Sequence, residues 1–142
     1  MKEFHRDIQI MENFEQIYTQ KLDDTTAGSD LSVSQIKALF AFNDGQCLSM
    51  KQLAENLGIK ISRVNTIADS LMRDGIAECT QTKYKSNRVK VRLTPQGKEI
   101  REQIATDRCK LAETIYARLS VKDKVMLQNS LNTAFKILKK VS

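Results

Sequence analysis

Apolar positions along the chain recur at helical spacing over most of its length and alternate in twos over one short stretch. From about Phe4 to Leu22, the residues Phe4, Ile8, Met11, Tyr18 and Leu22 keep a helical stripe, which Ile10, Phe14 and Ile17 widen. A stripe that wide predicts a helix buried on more than one side. A second helix is expected from Ser32-Val33-Ser34-Gln35, the S-x-x-Q form of a reciprocal capping box, with Ile36, Leu39 and Phe40 inward and an end at Asn43-Asp44-Gly45.

The next two helices follow without a linker. Ser49-Met50-Lys51-Gln52 repeats the capping box, Leu53, Ala54 and Leu57 share one stripe, and Gly58 stands where a left-handed residue would end the helix. After a corner of three residues, Lys60 to Asp74 resumes the helical period with Val64, Ile67, Ala68 and Leu71 inward. A small Ala54, a turning Gly58 and a β-branched Val64 at this spacing predict two helices crossing closely at a steep angle, a helix-turn-helix. The outward face of the second helix carries Ser62, Arg63, Asn65, Thr66, Asp69, Ser70 and Arg73. Arg and Asn near the start of a helix are the side chains that pair bidentately with guanine and adenine in a major groove. Arg63 and Asn65 are therefore the candidates for base contact, and Ser62 and Thr66 for phosphate or thymine methyl. The plain alternative is the solvated face of an ordinary helix.

Alternation by two then takes over. Ile76 to Gln81 and Val89 to Leu93 read as strands, with Val89, Val91 and Leu93 opposed to Lys90 and Arg92. Between them, Thr82-Lys83-Tyr84-Lys85-Ser86-Asn87-Arg88 reads as the tip of a hairpin. From Cys79 to Lys98 the chain carries Lys83, Lys85, Arg88, Lys90, Arg92 and Lys98 and no acidic residue. Such a ribbon attracts phosphates, and after a helix-turn-helix it would lie over the neighbouring backbone or minor groove. Thr94-Pro95 then supplies an N-cap and a proline at the first position of a long helix with Ile100, Ile104, Leu111, Ile115 and Leu119 inward. Ser120-Val121-Lys122-Asp123 starts a last helix to about Lys140, with Leu127, Leu131, Ala134, Phe135 and Leu138 inward.

Composition sharpens this picture in two ways. The net charge of +6 over 142 residues is uneven: residues 1–44 hold four basic and eight acidic side chains, 45–98 ten and four, and 99–142 nine and five. The positive excess lies over the helix-turn-helix and ribbon, the electrostatic footprint of a nucleic-acid binder. Cys47, Cys79 and Cys109 are scattered, with His5 the one histidine, which argues against a disulfide framework and a zinc site. They are expected to be small buried hydrophobes, with redox sensing at Cys47 as the alternative. No carboxylate pair, nucleophile with a base, or glycine-rich phosphate loop points to catalysis, so no enzyme activity and no cofactor are expected. The absence of a long apolar run or a signal-peptide core predicts a cytoplasmic protein with no membrane partner.

The succession Leu31-Ser32-x-x-Gln35, Gln52-Leu53-Ala54-x-x-Leu57-Gly58-Ile59, Leu71-x-x-x-Gly75-Ile76 and Val91-Arg92-Leu93-Thr94-Pro95-Gln96-Gly97 resembles the MarR family of bacterial transcription regulators over nearly the whole chain. The resemblance implies a mainly α fold with a small β-hairpin wing: a winged helix-turn-helix at 31–98, with dimerisation helices at 1–30 and 99–142, in one MarR-like domain. It implies a homodimer on a palindromic operator, a repressor released by a small-molecule effector, and DNA contacts from Lys60, Ser62, Arg63, Asn65, Thr66, Arg73, Lys83, Lys85, Asn87 and Arg88. The chain departs from the family in its wing, where Lys85 and Asn87 stand in place of an Asp-x-Arg, with Arg88 one residue on. It departs again at Lys60, where relatives often carry a capping Ser; Ser62 is the alternative start of that helix. The first helix lacks the cysteine of peroxide-sensing members, and one histidine is too few for the zinc-sensing branch. Two other functions stay open: a winged helix that docks a protein partner through its basic ribbon, and a thiol-based redox-responsive regulator.

Overall fold

The computed structural model describes residues 3–25, 30–43, 46–81 and 89–142. In chain order the elements are α1 (His5–Thr25), α2 (Val33–Leu39), β1 (Leu48–Ser49), α3 (Met50–Leu57), α4 (Ile61–Arg73), β2 (Ala77–Gln81), β3 (Val89–Leu93), α5 (Pro95–Ala117) and α6 (Val121–Lys139). They form two compact units, Thr26–Ala105 and Met1–Thr25 with Thr106–Ser142.

The Thr26–Ala105 unit is built around one core. Phe42, Leu39, Leu53, Leu71, Ile76, Val64 and Val91 are its largest fully buried side chains, joined by Ala38, Ala54 and Ala68. The residues chosen from helical spacing as inward on α3 and α4 are buried or half-buried, and Ala54 and Val64 both belong to the buried core cluster. Both capping boxes form: Ser32 accepts from the Gln35 N–H and Gln35 Oε1 accepts from the Ser32 N–H, and Ser49 and Gln52 do the same. Gly58 ends α3 at φ 66°, with its own N–H on the Glu55 carbonyl and that of Ile59 on Ala54, the two bonds of a Schellman turn. Gly75 ends α4 the same way at φ 73°, through Gly75 to Met72 and Ile76 to Leu71.

Three features differ from the sequence expectation. The second helix stops at Leu39 rather than Asn43, because Phe42 leaves the helical path to become wholly buried while Phe40, its C-cap, is only half-buried. The ribbon is three-stranded, in the antiparallel order β1-β3-β2: Leu48 pairs with Val91 and Ser49 with Lys90 on one side, Ala77 with Leu93 through Gln81 with Val89 on the other. Ser49 is thus both the end of a strand and the cap of a helix. None of the cysteines is buried. All are free thiols, Cys47 half-buried and Cys79 and Cys109 exposed, and Cys79 Sγ lies 3.1 Å from Met72 Sδ.

In the other unit the expected inward faces are open. Phe4, just before α1, and Ile8, Ile10, Met11, Phe14, Ile17 and Tyr18 on it are each at least half exposed; the Leu22 side chain, also placed on this stripe, lies outside the described residues. On α6 no residue is buried; Leu127 is half-buried, but Leu131, Ala134, Phe135 and Leu138 face solvent, Phe135 at 64% exposure. Along α5, Ile100 and Ile104, which belong to the Thr26–Ala105 unit, are half-buried and buried; further on, Leu111 is half-buried and Ile115 exposed, and Leu119, just past the helix, is half-buried. Ser120 caps α6 by accepting from the Asp123 N–H.

Candidate nucleic-acid interface

The outward face of α4 is laid out by the burial of its inward one. Val64, Ala68 and Leu71 are buried and Ile67 is half-buried, which leaves Ser62, Arg63, Asn65, Thr66, Asp69 and Arg73 exposed in a row along the helix. Ser70, placed outward from its spacing, turns inward: its hydroxyl donates to the Ile67 carbonyl at 2.7 Å and lies beside the Gln35 amide. Lys60, not Ser62, is the N-cap, and its side chain makes no capping bond. Lys60 thus gives the first turn of α4 no side-chain acceptor, and of its N–H groups that of Arg63 donates to the Lys60 carbonyl at 2.9 Å; a helix start of this kind suits a phosphate oxygen.

Two anchors fix this helix at its far end. Gln35, 6% exposed, spends its carbonyl oxygen on the α2 capping box and its Nε2 on Asp74, at 2.8 Å from Oδ2. One buried side chain thereby ties the start of α2 to the C-cap of α4. Nothing in its sequence neighbourhood beyond the capping box singles it out, since its partner is 39 residues away. The second anchor is Thr94, whose hydroxyl donates to the Gly75 carbonyl at 2.6 Å and accepts from the Gly97 N–H at 3.0 Å, while its own N–H donates to Ile76. Gly97 makes that joint possible, because a Cβ there would stand 2.1 Å from the Ile76 carbonyl oxygen. The end of α4, the base of β2 and the first turn of α5 are one joint.

The ribbon contributes less free charge than its composition implies. Arg92 Nε lies 2.7 Å from Glu78 Oε1, its cross-strand neighbour, so one of the cations in the acid-free run is paired with an acid just before that run. Lys90 is half-buried and Lys98 exposed. Lys83, Lys85, Asn87 and Arg88, expected at the wing tip, lie outside the described residues. Among the described residues no group of three or more His, Cys, Asp or Glu is placed to hold a metal, and no helix is long and apolar enough to cross a membrane.

No family model matches the sequence, and no curated protein matches it either. Solved structures do match. The chain superposes on a MarR family protein from Bacillus stearothermophilus with a TM-score of 0.81 at 14% identity, over 97% of this chain and 96% of that one. The chain has the MarR-family fold. Streptococcus pneumoniae FabT, solved in complex with DNA, shares the MarR fold at a TM-score of 0.80 and 15% identity, over 96% of each chain. So does Bordetella bronchiseptica BpsR, whose DNA binding is regulated by 6-hydroxynicotinic acid, at 0.73 and 17%, over 92% of this chain and 94% of that one. In MarR-fold terms, α3 and α4 are the helix-turn-helix, and β2 and β3 are the wing.

Proposed function

We propose that this protein is a homodimeric, sequence-specific reader of double-stranded DNA that regulates transcription from the cytoplasm, as a repressor released by a small-molecule effector. The observation that carries the reading is the exposed row Ser62, Arg63, Asn65, Thr66 and Arg73 on a helix whose other face is sealed into the core and whose end is doubly anchored. A rigidly held helix with Arg and Asn in its first turns is built to present hydrogen bonds to base edges. The fold shared with FabT, solved on DNA, supports the same assignment.

The uncovered apolar faces of α1 and α6 support the dimer. Large side chains such as Phe14, Met126 and Phe135 are more than half exposed, and a stable soluble chain seldom leaves so much apolar helix surface bare. A twofold partner would cover it and set two α4 helices toward two half-sites of a palindrome. Lys60, Ser62 and Thr66 then serve the phosphates and thymine edges, and Lys83, Lys85, Asn87 and Arg88 the flanking backbone or minor groove. Release follows if an effector binds better to a dimer whose reading helices are misplaced, since operator affinity falls by that differential affinity. BpsR, regulated by a small carboxylic acid, lends support by its shared fold.

The test is titration of a selected duplex with the wild type and Arg63→Ala over a salt series. Binding that weakens steeply with salt, and a loss of roughly 1–3 kcal/mol in the variant on specific sequence, are expected. Equal affinity of the two proteins removes Arg63 from the contact set. No duplex binding at low salt favours the protein-docking winged helix instead.

A further inference from the structure

The polar face of α4 begins with an aliphatic side chain. Ile61, the first residue of the helix, is 52% exposed and sits among exposed Lys60, Ser62 and Arg63. The corner already has its apolar clamp: Ile59, just before the cap, is half-buried against the core, and Val64, in the fifth position after it, is fully buried. Those are the positions of a hydrophobic staple, so the fold does not call on Ile61. Helix propensity does not call on it either, because β-branched residues are poorer helix formers than the straight chains common at exposed first-turn sites.

A use appears when the helix is considered as a reader, and the inference rests on the DNA-binding reading above. Side chains of the first turn are those that reach base edges in a major groove. Each edge there presents hydrogen-bonding groups, and thymine adds a methyl group, the one apolar feature of the groove. A branched aliphatic group cannot satisfy a donor or acceptor that it desolvates, so it disfavours bases that present only polar edges and gains by covering a methyl. We propose that Ile61 is a specificity-determining residue that reads a thymine methyl, and that the operator carries a thymine at a fixed place in each half-site. Val33 is the internal control. It holds the same first position in α2, is 48% exposed, and has serines on both sides and no part in the α4 row.

The test uses the full-length protein and a duplex that it selects from a random pool, with each thymine in turn replaced by uracil, which removes only the methyl. Fluorescence anisotropy is expected to show the wild type weakened about fourfold at one position per half-site, the partitioning worth of one methyl group. Ile61→Ala is expected to bind the thymine and uracil duplexes alike at that position, and Val33→Ala to keep the wild-type discrimination. Retained sensitivity in Ile61→Ala, or a wild type indifferent to uracil at every thymine, overturns the role of Ile61 and leaves DNA binding standing. A wild type with no salt-dependent duplex binding overturns both.

Discussion

Replacing Gly97 by alanine sets two physical effects against each other with opposite signs. Gly97 lies within α5, where exchanging glycine for alanine ordinarily stabilises a helix by about 0.8–1 kcal/mol. Its missing Cβ, however, would stand 2.1 Å from the Ile76 carbonyl oxygen and 3.0 Å from the carbonyl carbon, and neither is a flexible side-chain end that could swing aside. Relief requires the two backbones to part by roughly 1.3 Å or more, the gap to an ordinary contact between a methyl carbon and an oxygen. That movement also pulls on the Thr94 N–H bond to Ile76 and on the Thr94 hydroxyl. Overpacking of this kind costs about 1–3 kcal/mol, and each strained hydrogen bond adds up to about 1. Set against the helix gain, these costs leave a net destabilisation centred on about 2 kcal/mol and reaching about 4, which at about 3 °C per kcal/mol for a chain of this size lowers Tm by about 6 °C and at most about 12 °C. Thermal unfolding followed by circular dichroism, at one protein concentration because a dimer's Tm depends on it, gives the value. Gly58→Ala and Gly75→Ala calibrate it: both sit at positive φ, but the added Cβ meets nothing within 4 Å at Gly58 and Gln96 Oε1 at 3.5 Å at Gly75. Each should cost only the left-handed penalty of about 1–2 kcal/mol. A Gly97→Ala protein as stable as the wild type, or more so, would refute the tight joint between wing and α5.

Gln35→Ala removes the side-chain half of one capping box and the bridge to Asp74, so a loss of about 1–3 kcal/mol is expected in denaturant unfolding, whereas Asp74→Asn, which keeps an acceptor oxygen, should stay within about 1 kcal/mol of wild type. Arg92→Ala breaks an ion pair whose partners are 52% and 43% exposed, and solvent screening holds its effect on stability below about 1 kcal/mol; a larger loss in the same melt would show that the pair fixes the sheet. Phe135→Glu places a charge on the open face of α6, and sedimentation should show monomer where the wild type sediments as a dimer; an unchanged dimer would move the interface away from that face.

Local signals were legible where local physics decides. Ser32, Ser49, Ser120 and Thr94 cap helices because a hydroxyl three residues ahead of an N–H closes a short ring, whatever surrounds it. The stripes of α3 and α4 held because one buried face is all that their period encodes. What escaped depends on distant partners. β1 is two residues long and exists because β3 offers an edge, so Leu48 and Ser49 carry no alternation to notice. Phe42 breaks the α2 stripe to fill a core to which six other elements contribute, and Gln35 and Ser70 turn inward toward partners that their own helices do not reveal. The apolar stripes of α1 and α6 were visible, but a stripe says only that something covers it, and among the described residues most of both stripes is exposed. On the candidate interface, residue types and spacing found the exposed row of α4, while the pairing of Arg92 with Glu78 needed the strand register.

A hydroxyl has one proton, and Thr94 donates it to the Gly75 carbonyl just past the end of α4 while its oxygen accepts the Gly97 N–H in the first turn of α5. The end of α4, the base of β2 and the first turn of α5 are thereby mortised together, with no slack segment between them that could act as a pivot. On the proposed DNA-binding reading, such a part cannot adjust to an awkward half-site by flexing at this joint. In the proposed dimer, tolerance for altered spacing or helical twist between half-sites would then have to come from how two protomers are set against each other, and an operator one base pair too long or too short should be rejected by the assembly although each half-site is still read correctly.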